Sequence, residues 1–367
     1  MLHEVVCFDE PDAYADHPDE FTVHKLGKAT AVWGYKPGFK SWLMERAGVY
    51  DVWIVHGLWL WHGLASRAIA DRLRRLTGSV APVLLLWPHG MLDPWFQRAK
   101  GRRLKAIRNH IYWALLEKHV VRDADGILFT SSEEMRLARS TFPGYRHQQA
   151  FDIGLGTVTP PPFSGRMRES LRAVNGLLCD APFMLFLGRI DPKKGIDLIL
   201  DGYTTILRSG QVAVGLPNLL IAGPGWDTAY GRALRKRIDG DSILRQHVLI
   251  SGMLQGESKW GVLHLCEAFI LPSHQENFGI AVAEALSCGR PVLLSDKVNI
   301  HPWITEAGAG LVDADDPGGV FRLLQAWRSL SAEDKAGMSR AASVLFRDRL
   351  HISHCVKKFR EAIMTHK

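Results

Sequence analysis

The sequence predicts an α/β fold with parallel sheets, split into two domains. Three observations carry this reading. Short apolar runs alternate with longer amphipathic stretches along most of the chain, the pattern of strand–helix–strand units. The length, 367 residues, suits two domains. A stretch rich in Pro and Gly (Pro161, Pro162, Gly165, Gly176) divides the alternation near the middle. We therefore expect a first domain over residues 1–160, a linker over 161–180 and a second domain over 181–350.

In the first domain, residues 1–9 read as a short strand entering a turn, and Glu10–Pro18 as loop. Thr22–Leu26 is an edge-strand candidate, and Lys40–Ala47 a helix behind the breakers Gly34, Pro37 and Gly38. Asp51–Gly57 is a buried strand that ends at His56. Leu64–Leu76 is an amphipathic helix with Arg67, Arg72, Arg74 and Arg75 outward. Pro82–Trp87 is the next strand, running into Pro88-His89-Gly90. Asp93-Pro94 is a helix start, since Asp caps and Pro is tolerated in a first turn. Leu104–Val121 is helical, Ile127–Thr130 a strand, and Ser132–Ser140 a helix with Glu133 and Glu134 in its first turn.

Alternation resumes in the second domain. Strands are expected at Phe183–Leu187, Asn218–Ile221, His247–Ile250, Ala268–Pro272, Pro291–Leu294 and Gly310–Val312. Helices are expected at Ile196–Arg208, Trp226–Ile238, Ser258–Leu265, Gly319–Leu330, Ala332–Phe346 and Ser353–Thr365.

The informative stretch is His274–Arg290. It reads as a loop and then a helix from about Phe278-Gly279 to Gly289, set between two buried strands. The helix body is apolar on every side except Glu284, so it is a buried helix carrying a carboxylate. Glu276 sits in the loop just before it. No side chain at Phe278-Gly279 caps the free N–H groups at the helix start, and such a start favours an anion. Two readings stay open on these residues. In one, a diphosphate rests on the helix end and two glutamates bind hydroxyls. In the other, a buried helix has its Glu paired with a neighbouring Lys or Arg.

Glu276-x7-Glu284 with Phe278-Gly279 resembles the signature of retaining glycosyltransferases of the GT-B fold, glycosyltransferase family four. Phe183–Gly195, with Arg189 and Lys194, resembles the strand and loop in which that family carries its phosphate-binding cations. The resemblance implies two Rossmann-like domains facing a cleft, with a C-terminal helix (residues 351–367) packed back on the first. It implies that Glu276 binds hydroxyls of a donor sugar and Glu284 the ribose. The backbone of Asn277, Phe278, Gly279 and Ile280 would hold the diphosphate. Two cations and a helix start supply positive potential where a leaving diphosphate gains charge. The family's transfer is front-face and needs no second carboxylate of the kind retaining hydrolases use.

The same resemblance places His89 beside the donor sugar and His56, with Asp93, on the acceptor side. Asp93 reads as a helix cap rather than a catalytic base. Gly188 and Gly223 give backbone room near the nucleotide, and Met253 and Leu254 line the base pocket or simply pack. The family's first strand, Gly-rich loop and helix do not precede residues 1–9, so the first domain is expected to be truncated. The implied function is retaining transfer of a hexose-type sugar from a UDP- or GDP-sugar to a glycan or lipid-linked saccharide, in polysaccharide synthesis. The alternative is a nucleotide-sugar-binding remnant without catalysis. A nicotinamide-dependent oxidoreductase is disfavoured, because no Gly-x-Gly-x-x-Gly opens either half with an acidic residue about 20 positions on.

Composition sets further bounds. No run approaches the ~18 consecutive apolar residues of a membrane span, and no signal peptide is apparent, so a cytoplasmic protein is expected. The five cysteines are scattered and form no Cys-x-x-Cys pair. No Asp-x-Asp metal signature stands out, so neither a metal nor another cofactor is expected. A net charge of +7 fits anionic partners but carries no nucleic-acid signature. Arg98, Lys100, Arg102, Arg103, Lys105 and Arg108 form a basic cluster after Trp95-Phe96. It reads either as peripheral contact with an anionic inner membrane face or as a solvated helix face.

Overall fold

A computed structural model describes residues 2–10, 21–31, 33–78, 81–99, 101–174, 176, 181–209 and 216–365. Most of the Glu10–Pro18 loop, Lys100 of the basic cluster, residues 177–180 of the linker and the last two residues lie outside them. The chain divides into two compact units, residues 1–153 with 359–367, and residues 154–358.

In the first unit, β1 (Glu4–Cys7) and β2 (Thr22–Lys25) pair in parallel. A four-stranded parallel sheet follows, made of β3 (Val52–His56), β4 (Val83–Trp87), β5 (Gly126–Phe129) and β6 (Ala150–Asp152), in that order. The Leu84–Leu86 run of β4 and all of β5 are buried, as apolar strands covered on both faces are. One face packs with Ile69 and Leu73 of the helix Trp61–Thr77 and with Trp113. On the other face Leu85, Leu128 and Ile153 meet Ala362 and Ile363 of the helix Ile352–Met364. The helical region expected over Leu104–Val121 runs as Arg103–Tyr112, a π-helical turn Trp113–Glu117, and Lys118–Asp123.

The second unit is a six-stranded parallel sheet of β7 (Phe183–Leu187), β8 (Asn218–Ala222), β9 (Val248–Ser251), β10 (Ala268–Leu271), β11 (Val292–Ser295) and β12 (Gly310–Asp313). Their order across the sheet is β12-β11-β10-β7-β8-β9. The chain moves outward from β7 through β8 and β9, then returns to the other side of β7 with β10. The strand order therefore reverses between β7 and β10, and ligands of open α/β sheets bind beyond the strand ends at such a point.

Four elements differ from the sequence reading. The stretch 161–180 read as linker contains the helix Gly165–Val174. Its two apolar side chains one turn apart, Met167 and Leu171, are buried, and Leu171 joins the core of the second unit. Prolines and charges around that short stripe hide it in the sequence. The short strand β6 and the helices Ser242–His247 and His301–Ala307 were also not foreseen. Glu306, on the latter helix, pairs with Arg349 at 2.8 Å.

Candidate functional site

The loop after β7 is built by backbone packing. Gly188 N–H donates to Ala222 O (3.0 Å) and Ile190 N–H to Pro224 O (2.8 Å), which lays this loop on the turn after β8. The approach requires glycine at position 223, where φ is +144° and a Cβ would sit 1.8 Å from Gly188 O. Asp191 then accepts the Lys193 N–H at 2.9 Å and closes a short 3₁₀ turn, Pro192–Lys194. Gly195 (φ +68°) leads into the helix Ile196–Arg208, and a Cβ there would lie 2.2 Å from Pro272 O. Two glycines thus let the loops after β7, β8 and β10 touch. Arg189 is left exposed, with no ion pair among the described residues.

The loop after β10 is held on both sides. His274 N–H donates to Lys193 O (2.8 Å), and the His274 ring pairs with Asp315 (2.8 Å). Glu276 N–H donates to Lys297 O (3.0 Å), and its carbonyl accepts from Asn299 N–H (2.9 Å). Asn299 Nδ2 also donates to Asn277 Oδ1 at 3.3 Å. The Glu276 carboxylate meets the Lys194 ammonium, joining the cationic loop to the acidic one. Phe278 anchors the turn in the core. Gly279 (φ +77°) caps the helix Ile280–Ser287 without a side-chain hydrogen bond, so its first N–H groups remain unsatisfied by a cap.

Glu284 is 8% exposed, on the buried side of that helix, and pairs with Lys259 Nζ at 2.6 Å. Both glutamates therefore meet lysines, one of the two arrangements left open by the sequence. Lys259 was not foreseen as a site residue. It sits one helix earlier, in Gly256–Leu265, and no sequence spacing links it to Glu284. Of the two suggested base-pocket residues, Leu254 is buried in the core cluster and Met253 is exposed. Among the described residues no group of three or more His, Cys, Asp or Glu side chains is arranged to hold a metal ion.

In the first unit, His56 ends β3 and His89 follows β4. His56 Nδ1 and His89 Nε2 are 2.9 Å apart; the His89 ring stacks on Trp87, and the His56 ring lies tilted beside it. Burial of the surroundings, with His56 adding to it, pushes the His89 imidazole down to about 4. His56 is lowered too, chiefly by burial. Both rings are therefore neutral at pH 7. His89 has φ +51°, a left-handed conformation unusual for a residue with a side chain. The buried Glu134 holds this turn, accepting from Gly90 N–H (2.5 Å), Thr130 N–H (2.8 Å) and Thr130 Oγ1 (2.6 Å). The sequence offered Glu134 only as a first-turn acid of the helix Ser132–Ala138. Asp93 is buried, and its carboxylate accepts from Trp95 N–H at 2.8 Å, which is the cap its place before Pro94 suggested.

Two units with parallel sheets, one of them with its strand order reversed beside its central strand, make an α/β fold like that of the solved GT-B structures. Two solved structures share it. Sucrose-phosphate synthase from Thermosynechococcus elongatus superposes with a TM-score of 0.70 at 17% identity, over 99% of this chain and 88% of that one. Anabaena HepE in complex with UDP and glucose gives 0.69 at 16% identity, over 94% and 86%.

The sequence model of the family described as "Glycosyl transferases group 1" matches residues 167–334. A D-inositol 3-phosphate glycosyltransferase of Jonesia denitrificans is 27% identical over 203 residues, 54% of this chain and 47% of that protein. An alpha-D-kanosaminyltransferase of Streptomyces kanamyceticus is 28% identical over 203 residues, 54% and 49%. The chain thus aligns with about half the length of these curated relatives.

Proposed function

We propose that the chain is a retaining glycosyltransferase that moves a hexose-type sugar from a UDP- or GDP-sugar to a glycan or lipid-linked saccharide. The observation that carries the reading is the junction of the loops after β7 and β10. There Arg189, unpaired among the described residues, the Lys194–Glu276 pair and the uncapped start of the helix Ile280–Ser287 gather where the strand order reverses. A diphosphate laid on that helix start meets two cations and free N–H groups. As the glycosidic bond breaks, its new negative charge falls on groups already fixed in place. In this reading Glu276 accepts from hydroxyls of the sugar, and Glu284, steadied by Lys259, from the ribose. His89 stays neutral and meets a sugar hydroxyl.

Arg189, Lys194 and the helix start would neutralise the diphosphate without a metal, so activity should survive chelation by EDTA. The bound UDP of the HepE structure makes UDP the first nucleotide to try. We also place the protein in the cytoplasm and its product in polysaccharide synthesis. No helix among the described residues is long and apolar enough to cross a membrane. The deciding experiment is calorimetry with UDP and GDP, followed by donor turnover in Glu276→Ala. Saturable binding of one diphosphate and loss of turnover with an unchanged melt are expected. Failure of both nucleotides to bind would end the proposal.

A further inference from the structure

The helical segment Arg103–Glu117 has two apolar faces. One belongs to the core: Ala106 and Trp113 are buried, and Val120 continues this face in the next helix. The other points to solvent. Leu104 is 84% exposed, Ile107 58%, Ile111 56% and Leu115 67%. Their spacing of three or four residues puts them in one stripe, opposite the buried face. Trp33, itself exposed, stacks on Tyr112 of the same helix with ring centroids 6.3 Å apart. An open groove of about 570 Å³ lies beside the stripe, lined by Ile111, Ala114, Lys118 and Pro143. Four large aliphatic side chains in a row facing water mark an interaction surface.

The charges beside the stripe choose the partner. Arg103, Lys105 and Arg108 flank it, and among the described residues none of them has an ion pair. From Trp95 to Leu116 the sequence contains no Asp or Glu. Glu117 ends the run, but it is buried. A protein partner of mixed charge would leave these cations without opposite charges over several turns. A surface of anionic headgroups over an apolar layer satisfies the aliphatic stripe and its basic borders together.

We propose that the outward face of Arg103–Leu116 lies in the surface of an anionic lipid bilayer, with Leu104, Ile107, Ile111 and Leu115 entering the headgroup–acyl boundary and Arg103, Lys105 and Arg108 on lipid phosphates. This stands independently of the sugar-transfer reading.

The test is co-sedimentation of the full chain with vesicles of phosphatidylcholine containing phosphatidylglycerol, against vesicles of phosphatidylcholine alone. Two variants separate the contributions: Leu104→Ser/Ile111→Ser/Leu115→Ser and Arg103→Gln/Lys105→Gln/Arg108→Gln. All six positions are exposed, so both variants should melt like the parent, checked by calorimetry. The parent should bind the anionic vesicles, and each variant should bind at least about tenfold more weakly. The basic variant should also show a flatter salt dependence. No binding of the parent at low salt overturns the proposal. So does equal binding by the serine variant, which would mean adsorption by charge alone. A parent dimer in solution that the serine variant dissociates, without vesicle binding, would assign the stripe to a second copy of the chain.

Discussion

His56 Nδ1 and His89 Nε2 lie within hydrogen-bond distance, 2.9 Å, at the ends of two adjacent parallel strands. One ring nitrogen of the pair must donate and the other accept, so at least the accepting ring is neutral, and burial lowers the pKa of both. Burial, assisted by His56, pushes His89 down to about 4. If neutral His89 meets the donor sugar, activity is retained as pH falls through 6.5 and is lost only as it approaches about 4. The check is a pH profile of kcat/KM alongside a histidine NMR titration. An acid limb at 6.5 that disappears in His89→Ala would contradict the neutral ring.

Glu134 fixes the turn that presents His89. Its carboxylate accepts three hydrogen bonds in a buried setting, two of them from the backbone N–H groups of Gly90 and Thr130. Glu134→Ala leaves those donors without this acceptor and should cost about 2–4 kcal/mol in urea denaturation, given about 1–3 kcal/mol for each unmet buried group. The left-handed backbone at His89 would also be released, so kcat should fall more than KM changes. Glu134→Gln keeps one acceptor oxygen and should lose less on both counts. An alanine variant as stable as the parent would show that the carboxylate is no clamp.

If Arg189 and Lys194 hold a diphosphate, they divide that work unequally. Arg189 is unpaired among the described residues and exposed, whereas Lys194 already meets Glu276. Arg189→Ala therefore removes a cation with no internal duty. It should weaken UDP or GDP binding by roughly 10–100-fold, as expected for one charge-assisted bond to phosphate, with little change in melting. Lys194→Ala also leaves a carboxylate unpaired beside the phosphates, so its loss of affinity should be the larger. Calorimetric titration of each variant decides, and equal affinity in Arg189→Ala would take that residue out of the site.

The legible part of this chain was the part whose signals are local. Strand–helix alternation gave the class of fold, and His274–Arg290 gave a buried helix with Glu284 as its one charged residue. Asp93 read as a cap, and it is one. What the sequence concealed depends on pairs distant along the chain. Lys259 reaches Glu284 from another helix, and Glu134 reaches Gly90 across adjacent strand ends. Neither contact leaves a spacing to find. The helix at Gly165–Val174 was missed for a different reason: only two buried apolar residues mark it, among prolines and arginines. The basic cluster at Arg98–Arg108 was visible, but whether its neighbouring aliphatic residues faced the core or water needed coordinates.

Glu117 supplies a test of the first unit that requires no ligand. It is buried in the π-helical turn, and its Oε2 has no hydrogen-bond partner among the described residues. Burial pushes its carboxyl up to about 7 from the usual 4.5, against a smaller opposing effect of the Trp59 backbone. Below pH 4.5 the group is protonated whether the chain is folded or not, and it costs nothing. Between 4.5 and about 7 the unfolded chain releases the proton while the folded one keeps it, so stability falls with rising pH. Above about 7 the loss levels off at roughly 3 kcal/mol, the free-energy equivalent of that gap in pKa. Glu117→Gln removes the titration. The variant should match the parent near pH 4 and exceed it by roughly 2–3 kcal/mol at pH 8. Urea unfolding of both proteins across this range measures the difference. A gap that stays constant with pH would mean that water reaches the carboxylate in the folded protein.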